Sequence, residues 1–382
     1  MNLNKTKNYL KKNIFLVILL VLVLISGIFA STMEVILLLK PKISTTDSTQ
    51  VHFIDVGQGD AIAIKFPNDK VMLVDSGTKE YNHKLSNYLD NVVLRGKKKI
   101  DYLLLTHPDV DHSGNMKFIL DNYEVGIFYR PAIYEMSENK SPACENVTYR
   151  DILQTTLVKN VHTEITKNKI LHEGNVKINI LTPYEYLDNY NNLDTNEFSP
   201  LIVINDSGKK VILAGDISEK SERKIIENYD TDLLNCDILK LSHHGSKYSN
   251  SENFINVTSP QYVVASSGVN SYGHPANETL KRLLEYDKTN NSLTFDNFRS
   301  TKTSGNIIFA LENEIKIDII KNVDDYNFVS YYIYVIICVT YIIIILLRPY
   351  YKIWKKKRRF DTQNRKYTHL KEQEEQLIHN KN

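Results

Sequence analysis

Two histidines and two aspartates lie within six residues of one another in the segment THPDVDHSG, which follows the apolar run at residues 102–105. The four side chains are His107, Asp109, Asp111 and His112. Imidazoles and carboxylates together bind divalent cations, and a carboxylate-rich set suits Mn²⁺ while Zn²⁺ also accepts it. We therefore expect one or two divalent metal ions, Zn²⁺ or Mn²⁺, rather than a solvated polar turn.

Further segments place the same side-chain types after apolar runs. Asp75 and Asp216 each end such a run, His243 and His244 follow another, and His274 lies in a tight turn. Alone, an aspartate there is more often a turn residue, and a single histidine is more often a surface group. Together they favour one active site, because active sites gather where strands end and loops begin.

The elements that must position these residues are short and rich in β-forming residues. We predict strands at residues 51–56, 61–66, 71–74, 102–105, 176–181, 201–205, 211–214, 262–265 and 306–311. We predict helices at residues 83–94, 220–228 and 277–285, where apolar residues recur near helical spacing. Strands and helices in two successive halves favour an α/β fold with two packed sheets covered by helices.

Five segments follow one another along the chain: HFIDVGQGDA (52–61), THPDVDHSGN (106–115), LAGD (213–216), LKLSHHGS (239–246) and YGHP (272–275). In this order they resemble the metallo-β-lactamase superfamily, and more closely the extracytoplasmic domain of ComEC-type competence (DNA-uptake) proteins. The resemblance covers residues 51–320. It implies an αββα four-layer sandwich with a metal site on one edge.

The resemblance also implies roles for individual residues. The implied metal ligands are His107, Asp109, Asp111, His112, Asp216 and His274. Asp216 would bridge two ions, and Asp75 would be the carboxylate that fixes the ligand loop from behind. His243 and His244 would face the scissile bond, where one of them is either a ligand or a general acid. The implied catalytic residues are therefore Asp111, His243 and His244.

The sequence departs from the superfamily pattern at two places. Asp109 stands where histidine is commoner, and no middle histidine ligand is evident between His112 and Asp216, with His162 and His172 the candidates. The chain also lacks the many-helix channel region of the full competence proteins. The second metal position is thus the weaker part of the expected site.

Two apolar runs flank the expected domain, at residues 14–30 and 331–347. Counted with their apolar neighbours, both reach the roughly 17–25 residues of a membrane helix. The first could instead be a cleaved signal peptide, and the second a buried core helix. Lysines precede the first run and seven basic residues follow the second, so we expect both termini in the cytoplasm and the middle outside it.

We accordingly divide the chain into four parts. These are a cytoplasmic N-terminus with a transmembrane anchor (1–40), a hydrolase domain (41–326), a transmembrane helix (327–348) and a basic cytoplasmic tail (349–382). Residues 1–40 carry +4 and residues 327–382 carry +7 against +2 for the whole chain, which leaves −9 on the middle part. Cys144 and Cys236 would face an oxidising exterior, either paired or as free thiols.

This pattern favours a membrane-anchored, metal-dependent phosphodiesterase or nuclease related to ComEC, with a phosphodiester substrate that includes DNA. One alternative is a hydrolase of a cell-envelope phosphodiester, such as a choline or teichoic acid linkage, and β-lactam or amide hydrolysis is another. A third alternative, of a different class, is a non-catalytic membrane-anchored binding or scaffold protein. A degenerate scaffold would be expected to have lost several of the motif residues.

Overall fold

The computed structural model of the protein describes five continuous stretches and scattered positions between 14 and 27; the stretches are residues 48–131, 146–183, 194–290, 297–321 and 329–379. The chain divides into two compact units. Residues 38–322 form one unit, and residues 1–37 with 323–382 form the other.

The described residues of the first unit form fifteen strands. They are β1 (Thr49–Phe53), β2 (Ile62–Lys65), β3 (Val71–Val74), β4 (Lys99–Leu104), β5 (Glu124–Arg130), β6 (His162–Ile165), β7 (Lys169–Glu173), β8 (Val176–Leu181), β9 (Leu201–Asp206), β10 (Lys209–Leu213), β11 (Ile238–Lys240), β12 (Tyr262–Ala265), β13 (Phe298–Ser300), β14 (Asn306–Leu311) and β15 (Ile315–Ile320). One sheet has the order β15-β14-β1-β2-β3-β4-β5-β6, and the other has the order β13-β12-β11-β10-β9-β8-β7.

Helices connect the strands. They are α1 (Asn82–Tyr88), α2 (Val110–Ser113), α3 (Met116–Asn122), α4 (Val147–Val158), α5 (Glu219–Asn228), α6 (Thr231–Leu234), α7 (Glu252–Thr258), α8 (Asn277–Asn290) and α9 (Thr301–Ser304). Apolar residues of α1, α3 and α4 pack on the eight-stranded sheet, and those of α5 to α8 pack on the seven-stranded sheet. A third apolar core separates the two sheets. The αββα four-layer sandwich expected from the sequence is therefore confirmed.

The alternation of side chains along each strand explains how one segment serves two cores. In β1, Val51 and Phe53 belong to the core between the sheets. The side chain between them, His52, points the other way and lies 3.0 Å through its Nδ1 from the hydroxyl of Tyr88 on α1. This is the period of two that a strand imposes.

The strand directions decide where polar side chains meet. Strands β3 to β6 run parallel in one sheet, and β10 to β13 run parallel in the other. Asp75 and Thr106 follow β3 and β4, and Asp216 and Ser242 follow β10 and β11. Because the carboxyl ends of these strands lie at one edge of the sandwich, the loops after them share that edge.

In the second unit, the described helix α10 spans Val329–His379 and contains Pro349. Over the residues that the structure describes, none of the helices combines the length and the apolar character needed to cross a membrane. The predicted anchor within residues 1–40 falls almost wholly outside the described residues. So does Cys144, and its pairing with the buried Cys236 stays a prediction.

Candidate metal centre

Four buried side chains meet at the sheet edge where the strands end. They are Asp60, His112, Asp216 and His244, and one donor atom of each lies within 4.8 Å of those of the other three. They come from the loop after β1, from α2, and from the loops after β10 and β11. The fold thus gathers donors from both sheets.

The Nε2 atoms of two of these imidazoles face a common point. His112 Nε2 lies 3.2 Å from Asp216 Oδ1 and 3.3 Å from His244 Nε2. His244 Nε2 lies 3.4 Å from Asp216 Oδ2 and 3.3 Å from Asp111 Oδ2. The Nε2 atoms of His112 and His244 and the carboxylates of Asp111 and Asp216 make a four-donor set suited to one divalent cation.

The opposite nitrogen of His112 is held from behind by Asp75. His112 Nδ1 lies 2.7 Å from Asp75 Oδ2, and the same carboxylate accepts hydrogen bonds from the Thr106 amide at 2.8 Å and hydroxyl at 2.7 Å. A carboxylate in this position fixes the ring and leaves Nε2 for a cation. The resemblance implied this place for Asp75, and its effect on a bound metal ion stays a prediction.

His107 lies beside this set. Its ring centroid is 4.1 Å from that of His112. Its Nε2 is buried, has no hydrogen-bond partner among the described residues, and is 3.9 Å from Asp109 Oδ2. Asp109 is half exposed and accepts a hydrogen bond of 2.8 Å from the Thr195 hydroxyl. These two side chains offer donors for a second cation.

The segment between His112 and Asp216 contributes a serine to this region. Ser199 Oγ lies 3.2 Å from His107 Nδ1 and 3.3 Å from the amide of Asp216. The two histidines considered for a middle ligand are exposed on edge strands, where His162 lies 3.4 Å from Glu164. The structure therefore does not bring His162 or His172 into the described cluster.

The HHG segment directs two adjacent histidines differently. His243 and His244 have φ values of 50° and 53°, in the left-handed region that is strained for residues other than glycine. His244 is buried, with Nδ1 2.9 Å from the Ser266 carbonyl oxygen, which leaves its Nε2 for the cluster. The side chain of His243 is 31% exposed and lies 3.7 Å from Asp216 Oδ2.

An open cleft of about 610 Å³ leads to the cluster. Asp111, His243 and His274 line it, together with the exposed ring of Tyr272. The His274 ring lies 5.5 Å from that of His243, and its buried Nδ1 has no hydrogen-bond partner among the described residues. The His274 ring lies 6.4 Å from that of His244, so His274 is not among the four donors above, and its role as a metal ligand stays a prediction.

The electrostatics of the cluster fit a cation. Burial lowers the pKa of His107 to about 3, so this imidazole stays neutral, as a ligand must. Burial alone would also lower the pKa values of His112 and His244, but the surrounding carboxylates, Asp216 foremost, raise both well above 6.5. So much negative charge around buried imidazoles requires positive charge, from protons or from a divalent cation.

Two buried residues of the site were given no role in the sequence analysis, although both lie in quoted motifs. Asp60 ends HFIDVGQGD, and Lys240 lies in LKLSHHGS, where a lysine usually indicates a solvated surface. Here the Lys240 ammonium is fully buried and forms an ion pair with Asp60. The contact forms only when the loop after β1 meets the end of β11, which the sequence alone does not show.

Residues 54–173 match the model of the metallo-beta-lactamase superfamily. With the four-layer sandwich and the donor cluster, this match identifies a metallo-beta-lactamase domain with a potential metal site, as in metal-dependent hydrolases.

The relatives of the chain are ComEC-type competence proteins. ComE operon protein 3 of Bacillus subtilis is 27% identical over 281 residues, which cover 69% of this chain and 34% of that protein. Competence protein ComA of Neisseria gonorrhoeae is 26% identical over 246 residues, which cover 64% and 31%. The chain thus spans about a third of the length of these curated relatives. Among solved structures, Zn²⁺-bound PqqB from Methylobacterium extorquens is 10% identical with a TM-score of 0.40, covering 65% of this chain and 87% of that one.

Proposed function

We propose that this chain is a membrane-anchored, metal-dependent phosphodiesterase whose catalytic domain lies outside the cytoplasmic membrane. The observation that best supports this function is the meeting of His112, Asp216 and His244 beside an open cleft, with the Asp111 carboxylate 3.3 Å from His244 Nε2. The partly exposed imidazole of His243 faces the same cleft. Donor set, open access and a nearby proton carrier are what metal-assisted hydrolysis requires.

In this proposal, Asp111, His112, Asp216 and His244 hold one divalent cation. His107 and Asp109 offer donors for a second. The carboxylate-rich shell favours Mn²⁺, and Zn²⁺ is also compatible with it. When bound, such a cation supplies Lewis-acid polarisation of a phosphoryl oxygen and makes hydroxide accessible near neutral pH.

The remaining chemistry belongs to the side chains of the cleft. His243 is placed to donate the proton that the leaving oxygen needs, a role worth about 10²–10⁴ in rate. Burial lowers the pKa of His243. An anionic phosphodiester bound beside it would raise that pKa again, because a negative neighbour favours the protonated ring. Asp75 and Thr106 take no part in the proton transfer. Their role is to hold the His112 ring in one orientation.

The substrate class follows from the relatives and from charge. The competence relatives favour DNA, but residues 41–326 carry −9 and an extended DNA site needs clustered Lys and Arg. The clearest basic cluster of this part lies at residues 95–99, and it makes ion pairs with acidic neighbours, such as Lys97 with Asp69 and Lys98 with Asp90. We therefore propose cleavage of single strands or ends that reach the cleft, with long duplex DNA bound no tighter than about 10⁻⁶ M at physiological salt.

The membrane anchoring rests on the apolar runs at residues 14–30 and 331–347 and on their basic flanks. Protease added to intact cells should digest the middle part and spare a C-terminal tag. Digestion of the tag with protection of the middle part would reverse the proposed orientation.

Activity is tested with the full chain purified in detergent and loaded with Mn²⁺ or Zn²⁺. The panel compares bis-(p-nitrophenyl) phosphate, single- and double-stranded DNA, and a cephalosporin, with Asp111→Asn as the inactive control. We expect turnover of the phosphodiester and of single-stranded DNA. Metal binding without turnover of any phosphodiester would favour a scaffold, and cephalosporin turnover alone would favour amide hydrolysis.

A further inference from the structure

The floor of the candidate metal centre contains a buried positive charge. Lys240 is the last residue of β11, and its side chain is 0% exposed. Its ammonium donates a hydrogen bond of 3.0 Å to the Gly215 carbonyl oxygen, forms an ion pair with Asp60 and lies 3.9 Å from Asp216 Oδ1. A buried ammonium is costly to desolvate, and here it lies next to Asp216, a proposed ligand of the cation.

Asp60 is close enough to be counted among the donors, but its position relative to the imidazoles argues against ligation. Its carboxylate oxygens lie 3.5 Å from His244 Nδ1 and 3.9 Å from His112 Nδ1. The Nε2 atoms that face Asp216 are on the opposite side of each ring. Asp60 therefore faces the Nδ1 side of both rings while Asp216 faces the Nε2 side, and this proposal places Asp60 behind the ligands rather than among them.

The backbone fixes Asp60 in this place. The Asp60 amide donates a hydrogen bond of 3.1 Å to the Asp111 carbonyl oxygen. Gly59 has φ +142°, and a Cβ there would lie 2.3 Å from the same carbonyl oxygen. The loop after β1 therefore packs directly under the Asp111 segment, and only glycine permits this approach. The ion pair is thus linked through Asp60 to the Asp111 segment and through Lys240 to the carbonyl oxygen of Gly215.

We propose that Lys240 and Asp60 form a fixed charge pair that sets how tightly the centre holds its cation. Lys240 lowers the affinity because its positive charge lies beside Asp216, and Asp60 raises it because its negative charge lies behind His112 and His244. The proposal rests on the metal binding proposed above. Unit charges a few ångströms apart in a protein interior interact strongly enough to change affinity on the order of tenfold to a hundredfold.

The test is a double-mutant cycle in the full chain, with Lys240→Met, Asp60→Asn and the double variant. The Kd for Mn²⁺ and for Zn²⁺ is measured by competition with a fluorescent chelator. We expect Lys240→Met to bind at least tenfold more tightly and Asp60→Asn at least tenfold more weakly. We expect the double variant to lie within about threefold of the wild type, since the two charges offset each other.

If the pair acts through its charges, the two single variants change the metal affinity in opposite directions. A pair that only supports the fold would weaken metal binding in both single variants, and that result would overturn the proposal, as would unchanged Kd values. Lys240→Gln, which retains a donor for the Gly215 carbonyl oxygen, replaces Lys240→Met if that variant fails to fold.

Unfolding of both neutral variants would also overturn the proposal, because the charge would then serve the fold. A wild-type chain that binds neither ion would contradict the proposed function instead. The two failures are therefore distinguishable.

Discussion

Two fully buried histidines in the half of the sandwich formed by the eight-stranded sheet have pKa values shifted in opposite directions. His52 on β1 has the phenol of Tyr88 as its partner at 3.0 Å, and burial, assisted by Lys65 and Arg95, lowers its pKa to about 3. His112 lies between carboxylates, with Asp75 at 2.7 Å and Asp216 at 3.2 Å. Burial would lower its pKa too, but these carboxylates raise it well above 6.5.

Burial is the same for both rings, so the partners decide the outcome. A histidine with a neutral partner is a neutral core residue. One held between carboxylates attracts positive charge, from a proton or from a metal ion. The comparison explains why a buried histidine at a strand indicates nothing by itself. The function depends on what the loops from the other sheet bring to it.

The largest expected effect comes from changing His112 or Asp111, two of the proposed metal ligands. Asp111→Asn or His112→Ala should abolish turnover and lower metal content while the domain stays folded, because the first removes the charge of a carboxylate ligand and the second removes an imidazole ligand. Turnover of bis-(p-nitrophenyl) phosphate and metal analysis of the purified chain measure this. His52→Phe is the matched control and should retain both. Activity close to wild type in either site variant would exclude the assignment.

The next effect separates the two adjacent histidines of the HHG segment. His243→Ala should slow catalysis by about 10²–10⁴ and leave most of the metal bound, as for loss of a general acid. His244→Ala should lose metal, because its Nε2 faces Asp216 and Asp111. Rates and metal content are measured on the same preparations. If both variants lose all metal, the division of roles is wrong.

Much of the fold could be predicted because buried strands are continuous apolar runs. The predicted strands at 71–74, 176–181, 262–265 and 306–311 have the bounds that the structure gives. Six strands were not predicted, namely β5, β6, β7, β11, β13 and β15. Two of them, β6 (HTEI) and β7 (KILHE), show why. They are edge strands with few apolar side chains, and they form through pairing with a neighbour rather than through their own pattern.

The candidate site was predictable where several ligand types cluster in one segment, as at residues 107–112. Ser199 could not be predicted, because serine is a common turn residue and only the fold brings it to His107. Asp60 and Lys240 could not be paired from the sequence, because their contact needs both sheets in place. Local spacing thus predicts donors, whereas long-range packing determines their partners.

A smaller effect is expected from the carboxylate behind His112. Asp75→Asn keeps the size of the side chain but removes the charge that orients the ring, so metal affinity should fall about 10–100-fold. Chelator competition with the full chain measures the Kd. Asp69→Asn, at an exposed carboxylate remote from the cluster, should stay within about twofold of the wild type. Equal Kd values for both variants would show that Asp75 does not act on the metal ligands.

The smallest effect concerns His52, the neutral histidine of the comparison, and it changes only the stability of the fold. Because burial lowers the pKa of folded His52 to about 3 from the 6.5 of an imidazole in water, the unfolded chain binds a proton below pH 6.5 that the folded chain does not bind. The contribution of His52 to stability should therefore fall as the pH decreases from 6.5 towards 3. Between pH 7 and pH 5 the loss should be about 2 kcal/mol. His52→Phe should lack this part of the pH dependence while other groups titrate as before, so the difference between the two chains isolates it. Urea unfolding followed by pulse proteolysis at both pH values measures the difference, and parallel pH profiles would show that His52 is not held neutral.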